Sequence, residues 1–570
     1  MKIEYKWIAL TNTTIGSLMA SIESTVVMIS LPAIFSGLRV DPLAPGGSVL
    51  LLWIMMSYAV VTTMLVVSFG RIADMFGRVR LYNLGFVIFT VGALLCSITP
   101  ATGTTGAIEL IAFRMVEAVG GACLFANGVA ILTDAFPLGQ RGFALGINQI
   151  AFIAGNVIGV VLGGILAAIN WRLDFLISVP VGVFGSIWAF IALREVGHRR
   201  PQPLDPLGNL TFAAGLLALM FGLTEALTPY GRSDMGWTNP VVVASLAVGV
   251  VALVAFIALE RRAASPMFDL AMFRIRGFLF GSVATFLFSL ARGGLQFMLI
   301  IWLQGIWLPL HGVAYSDTPL RAGIAMLPLM VGFVVCGPMG GWLSDRYGAR
   351  VIATGGILIG AAGALLLMTL PADFDIVHLG VYLFVMGAGM GFFGAPNTSQ
   401  IMSAVPAEHR GSAAGMRTTI FNAGATLSQA IFFTLVVVSL GSTLGPSVRA
   451  GTQAAGLPSS VAAGLASLPP GGAIFAAMLG YDPIAHIAPP AMLSALPPGV
   501  LARISDPHFF ARLLATPFVD GIRLALLVSV ALCVLAGAAS ALRGGREEEL
   551  GVEPAFVLDV EGGVASAEAD

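Results

Sequence analysis

Fourteen stretches of about twenty residues, each nearly free of charge, recur along this chain of 570 residues. A helix needs roughly 20 apolar residues to cross the hydrocarbon core of a bilayer, and backbone groups in lipid must be satisfied within the segment itself. The stretches cover 8–31, 48–69, 81–99, 108–133, 143–168, 173–193, 207–227, 239–259, 278–303, 321–343, 351–370, 376–402, 417–440 and 521–542. They predict an all-α polytopic membrane protein. Hydrophobic residues make up 57% of the chain and charged residues 10%, where soluble domains carry about a quarter charged residues. A soluble enzyme, a disordered chain and a nucleic-acid binder are thereby excluded. Four cysteines, all inside apolar runs, read as small core residues, and no cysteine–histidine spacing suggests a metal. The first stretch runs through Glu23 to Pro32 with no small-residue cleavage site before it, unlike a signal peptide.

An even number of spans puts both termini on one side. The connections beginning at Arg71, Arg141, Arg194, Arg261, Arg346 and Arg410, with the termini, hold 19 Lys and Arg against eight on the other side. This bias predicts cytoplasmic termini in the cell membrane. Residues 441–520, on the outer side, are apolar yet contain 11 prolines, which are expected to cut every run below spanning length. Residues 544–570 form an acidic tail, with eight acids and no base after residue 546.

Two motifs occur twice. Gly70-Arg71-Ile72-Ala73-Asp74-Met75-Phe76-Gly77-Arg78 returns as Gly341-Trp342-Leu343-Ser344-Asp345-Arg346-Tyr347-Gly348-Ala349-Arg350, and Arg141-Gly142-Phe143-Ala144-Leu145-Gly146 returns as Arg410-Gly411-Ser412-Ala413-Ala414-Gly415. The offsets, 271 and 269 residues, nearly agree, which predicts two related halves. The expected organisation is a six-helix bundle over 1–200, two inserted helices over 201–277 and a second six-helix bundle over 278–543. Paired six-helix repeats are used by transporters that rock around a central site.

The chain resembles the major facilitator superfamily, and within it the fourteen-span drug:proton antiporter group. Gly70-x3-Asp74-x2-Gly77-Arg78-x-Arg80 matches the family's loop 2–3 motif at every key position. Trp171-Arg172-Leu173-Asp174-Phe175, with Val179-Pro180-Val181-Gly182, is similar to the group's span 6 signature. Span 5 carries Gly146, Gly155, Gly159, Gly163 and Gly164 at the spacing of the family's antiporter motif, with Val160 where the family has proline. The resemblance implies that this glycine surface seals the path against leak. It also implies a latch in which Arg78 pairs with Asp134 while Asp74 faces the start of span 13 near Arg417. Gly70 and Gly77 shape that loop, and Asp345 is the latch acid of the second copy.

Three side chains stand out on chemical grounds. Glu23 lies mid-span, and a carboxylate in hydrocarbon must face a cavity or a partner, where it can take up and release a proton. Arg114 and Glu117 share one face of span 4 at i,i+3, whereas offset 269 places Leu383 and Met386 in the second half. Proton coupling is therefore expected in the first half. Arg292, mid-span, needs a partner that the sequence does not identify. Asp174 and Glu109 sit near outer span ends, where hydration is expected, and Glu225 reads as structural. Candidate cargo contacts are Asn127, Asn148, Gln149, Gln296, Asn397 and Gln400, since the cargo site of such repeats lies near the midplane.

No phosphate loop for ATP is present in the sequence. The leading expectation is export of lipophilic or cationic drugs driven by the proton gradient, by a monomer needing no other cofactor. Export of a lipid or hydrophobic metabolite guided by 441–520 is the alternative, and a non-transporting receptor on the same scaffold is a third reading.

Overall fold

The computed structural model describes residues 4–544 apart from 45, 138–139, 197–204, 232–234, 264–265, 267, 407–409, 482, 485–496, 505 and 507. Residues 545–570 of the acidic tail lie outside the described residues. Among the described residues fourteen helices are long and apolar enough to span a membrane: α1 (Tyr5–Leu38), α2 (Gly47–Phe76), α3 (Arg78–Ile98), α4 (Gly103–Ala135), α5 (Arg141–Ile169), α6 (Arg172–Ala192), α7 (Pro206–Glu225), α8 (Pro240–Glu260), α9 (Arg276–Leu310), α10 (Thr318–Tyr347), α11 (Ala349–Met368), α12 (Ile376–Ser403), α13 (Arg410–Ala455) and α14 (Phe509–Ala541). Several outrun their apolar stretches, because an apolar run marks the crossing of hydrocarbon while the helix continues into polar sequence such as Arg71–Phe76.

Small residues set the helix packing, as expected where lipid offers no hydrophobic drive between helices. A Cβ on Gly85 would lie 3.1 Å from the Gly120 carbonyl, and one on Gly92 would lie 2.5 Å from Glu117 Cα, so α3 and α4 meet backbone to backbone. In the second half Gly356 and Gly363 do the same for α11 and α12, against Gly389 and Met386. The repeated loop motif also keeps its backbone. Gly77 (φ 115°, ψ 129°) joins α2 to α3, and Gly348 (φ 89°, ψ 137°) joins α10 to α11. Both conformations lie at positive φ, which glycine adopts without a Cβ penalty. Helices α7 and α8 pair through Gly215, Gly222 and Gly249. Helix α7 rests on α2, where Trp53 Nε1 donates to Thr224 Oγ1 at 3.2 Å.

The proline-rich segment departs from the expectation of a broken outer loop. Helix α13 continues through Pro446 to Ala455, and α14 begins at Phe509 and runs through Pro517. Neighbouring helices compensate for the backbone bond that a proline removes, and here Gly451 of α13 packs on the Leu513 side chain of α14. At 46 residues, α13 is about 70 Å long, far more than the ~30 Å hydrocarbon core. Among the described residues three short helices lie between α13 and α14: Ser459–Ala466 and Pro470–Leu479, bent by 102° to each other, and Pro498–Ile504.

The end where α1 starts and α14 finishes is the near end. At the far end the two halves are pressed together. Gly164 of α5 faces Leu320 of α10, and Gly323 of α10 faces Val160. Gln304 Nε2 of α9 donates to the Ile29 carbonyl of α1 at 2.9 Å. The helix Pro470–Leu479 seals this closure. Gly472 lies against Pro42 and Leu43 of the first half, Phe475 stacks on Phe433 of α13 with centroids 5.2 Å apart, and Met478 packs on Gly305 of α9. Pro470 to Met478 are all buried.

Candidate functional site

Inside the first half, α1, α2, α4 and α6 bring ionisable groups together in a space with no access to solvent. Glu23 and Glu117 have no exposed surface and Arg114 is 1% exposed. Arg114 Nη1 lies 3.2 Å from Glu23 Oε1 and 3.7 Å from Glu117 Oε2. Ser178 Oγ donates to Glu23 Oε2 at 3.1 Å. The guanidinium also lies over the rings of Tyr58 and Phe175, at 5.5 and 5.7 Å from their centroids, contacts that strengthen when desolvated. Glycines make the room: a Cβ on Gly121 would lie 2.4 Å from Tyr58 Oη.

Charge counting defines the chemistry. One guanidinium balances one carboxylate, so Glu23, Arg114 and Glu117 together are neutral with one proton aboard and carry one negative charge without it. Unpaired buried charge is strongly unfavourable, so the balance between one guanidinium and two carboxylates is the chemical peculiarity of this cluster. Asp174, expected at a hydrated outer end, is instead fully buried beside Ser30, because α6 turns its first residues into the bundle. Glu109 Oε2 accepts the Ala101 N–H at 3.3 Å, and Glu225 Oε1 accepts the Thr228 hydroxyl at 3.4 Å.

At the near end Arg78 bridges two acids. Its Nη1 lies 2.8 Å from both carboxylate oxygens of Asp134, and its Nε donates to Asp74 Oδ1 at 2.8 Å. These contacts join α2, α3 and α4 within the first half. Among the described residues Asp74 pairs with Arg78, and no ion pair links it to Arg417 or the rest of α13. Asp345 is exposed and forms no ion pair among the described residues. No atom would meet a Cβ on Gly70 within 4 Å. Sequence reasoning passed over Glu195, whose Oε1 accepts the N–H groups of Val79 and Arg80 at 2.9 and 3.1 Å. It caps α3 beside Gly77, where a Cβ would lie 2.4 Å from that oxygen. The available signal was an acid directly after span 6, on the side otherwise rich in Lys and Arg.

On α5, Gly155, Gly159 and Gly163 face Ser21, Ile22 and Val26 of α1, while Gly164 faces α10, and Gly146 touches neither. The glycine row thus binds α5 to α1, and its last member joins the halves. Of the polar candidates, Asn127 Nδ2 donates to the Cys123 carbonyl of its own helix at 2.8 Å, Asn148 Oδ1 accepts from Ser17 at 3.0 Å, and Asn397 Nδ2 donates to Thr285 Oγ1 at 2.8 Å. Gln400 Oε1 accepts from the buried Arg543 at 3.1 Å. Gln149 is exposed and Gln296 half-buried, so these two present accessible side-chain surface. Arg292 is half-buried, with Nε shielded and without a hydrogen-bond partner among the described residues.

Fourteen spanning helices with a repeated loop motif define the class as a polytopic membrane transporter. The Major Facilitator Superfamily profile matches residues 13–301 and 260–429, and the chain belongs to that superfamily. It is 29% identical over 443 residues to the riboflavin transporter RibZ of Clostridioides difficile, covering 77% of this chain and 90% of RibZ. Multidrug resistance protein 3 of Bacillus subtilis is 27% identical over 422 residues, covering 74% of this chain and 78% of that protein. The tetracenomycin C resistance and export protein of Streptomyces glaucescens is 27% identical over 438 residues, covering 76% and 77%. In fold, the chain is similar to a bacterial homologue of the human lysosomal transporter Spinster, with TM-score 0.59 and 16% identity over 95% of this chain and 97% of that one.

Proposed function

We propose that this transporter is a proton-coupled antiporter that exports lipophilic or cationic amphipathic compounds by alternating access, as a monomer in the cell membrane with both termini in the cytoplasm. The observation that carries this reading is the Glu23–Arg114–Glu117 cluster, whose net charge changes by one when a single proton leaves. The names of two relatives, a multidrug resistance protein and a tetracenomycin C resistance and export protein, support the cargo class, and the Lys and Arg bias supports the orientation. The bundle over 1–200 carries coupling, the bundle over 278–543 completes the path, and Asp74, Arg78 and Asp134 act on the rate of conformational exchange.

The test is transport in proteoliposomes under an imposed pH gradient. Dye efflux should follow the gradient in the unaltered protein and vanish in Glu23→Gln at equal folded content. Gradient-independent efflux would remove proton coupling from the account. A second reading, export of a lipid or hydrophobic metabolite, is favoured by the wholly apolar helix Pro470–Leu479 at the far end. It predicts that lipid probes compete with dyes.

A further inference from the structure

The second half holds a mid-span cation whose counter-charge is missing. Arg292 lies close to the midpoint of α9 (Arg276–Leu310). No hydrogen bond or ion pair of its guanidinium occurs among the described residues. A charged group at this depth requires a partner or a water-filled cavity.

Helix geometry places the side chain on the inner face. One stripe of α9 is formed by Leu279, Val283, Leu287 and Leu290, all exposed or half-buried. At about 100° per residue, Arg292 is half a revolution from Val283. The residues on its own side face α12: Thr285 accepts from Asn397, and Phe288 packs on Phe393 with centroids 4.4 Å apart. The internal repeat agrees. Ser289 meets Gly424 as Ser21 meets Gly155, which aligns Arg292 with Ser24, an exposed residue in the middle of α1. Gln296, half-buried, follows Arg292 by one turn on the same face.

We propose that Arg292, assisted by Gln296, binds the anionic group of an amphipathic cargo, either a carboxylate or a phosphate headgroup. A guanidinium presents a planar fork that matches both anions, and the apolar surroundings of Phe288 and Phe393 suit the hydrocarbon part. The inference rests on the transporter reading, and it adds a class of cargo opposite in charge to the cations that the acids of the first half would attract.

The test is equilibrium binding with the full chain in phosphatidylcholine nanodiscs and no gradient, so that failure of proton coupling and failure of this site are read separately. A dansyl-labelled fatty acid is the probe, with dodecyl phosphate, dodecyltrimethylammonium and inorganic phosphate as competitors. In the unaltered protein dodecyl phosphate should displace the probe at least tenfold more strongly than the cationic analogue or inorganic phosphate. Arg292→Gln should weaken the probe by roughly 10–100-fold, the range for losing a charged hydrogen bond. Arg292→Lys should restore part of the affinity, and binding of a cationic dye should stay within twofold in both variants. Equal displacement by the two dodecyl compounds in the unaltered protein overturns the proposal without any variant. Displacement by inorganic phosphate as strong as by dodecyl phosphate overturns the amphiphile. Parallel loss of anionic and cationic probes in a variant that melts normally overturns the role of Arg292.

Discussion

Helices α4 and α12 occupy matching places in the two halves and differ in almost everything except their glycines. Gly120 lets α3 approach in one, Gly389 lets α11 approach in the other, and Gly92 and Gly363 contact Glu117 and Met386 at corresponding points. The same backbone contact thus carries an acid in the first half and a thioether in the second. Arg114 has Leu383 as its counterpart, and both Leu383 and Met386 are buried. Two tasks are thereby separated: glycine-mediated backbone approach maintains the scaffold, while the side chains mounted on it decide whether a helix handles charge or only fills space.

The strongest way to break this division is at Glu23. Glu23→Gln is expected to reduce gradient-driven transport to background, about 100-fold or more, a loss of roughly 3 kcal/mol in rate terms, with an unchanged melting temperature. Retained coupling in vesicles would remove Glu23 from the mechanism. Next in size is Arg114→Leu, which installs the residue of the second half and strands two buried carboxylates, at an expected cost of about 3–5 kcal/mol. The triple variant Glu23→Ala, Arg114→Leu, Glu117→Met makes this core resemble its counterpart. It should regain most of that stability in thermal unfolding while remaining uncoupled. If the triple variant is no more stable than Arg114→Leu alone, the apolar core of the second half is not a valid substitute for the ionic one.

A smaller effect is expected at the seam between the halves. Gly164→Val must push against Leu320, whose Cα would lie 2.4 Å from a Cβ at position 164, and overpacking costs typically about 1–3 kcal/mol. The predicted readout is a several-fold fall in transport with equilibrium dye binding preserved, and unchanged transport would show that the seam yields easily. The smallest effect is expected for Asp74→Asn. Its partner Arg78 keeps Asp134, and part-exposed ion pairs contribute about 0.2–1 kcal/mol, so turnover should fall roughly two- to fivefold with dye affinity intact. A change in affinity alone would take Asp74 out of the conformational exchange.

The fourteen crossings, the repeat and the isolated acid in α1 were legible because each leaves a mark that needs no partner: an apolar run, a recurring motif, a charge where lipid forbids one. Pairings across the fold left no such mark. Nothing near Gln400 points to Arg543, 143 residues away, and nothing in span 6 indicates that Asp174 turns inward. Pro446 and Pro517 misled because local propensity treats proline as a stop, whereas tertiary contacts carry α13 and α14 past both. Arg78–Asp134 was anticipated by family resemblance, yet among the described residues no ion pair links Asp74 to the second half, since that contact belongs to the relative position of the halves rather than to local sequence.

The helix Pro470–Leu479 acts as a keystone of the far-end closure, and its weight can be compared with an electrical step across a membrane. Burying a large apolar side chain contributes about 1.5–3 kcal/mol, and Ile474, Phe475 and Met478 are each at most 2% exposed. A proton falling through 100 mV delivers about 2.3 kcal/mol. Wetting even one of these three residues therefore costs an amount similar to that electrical step, so the strength of this small wedge governs how rarely the far end opens.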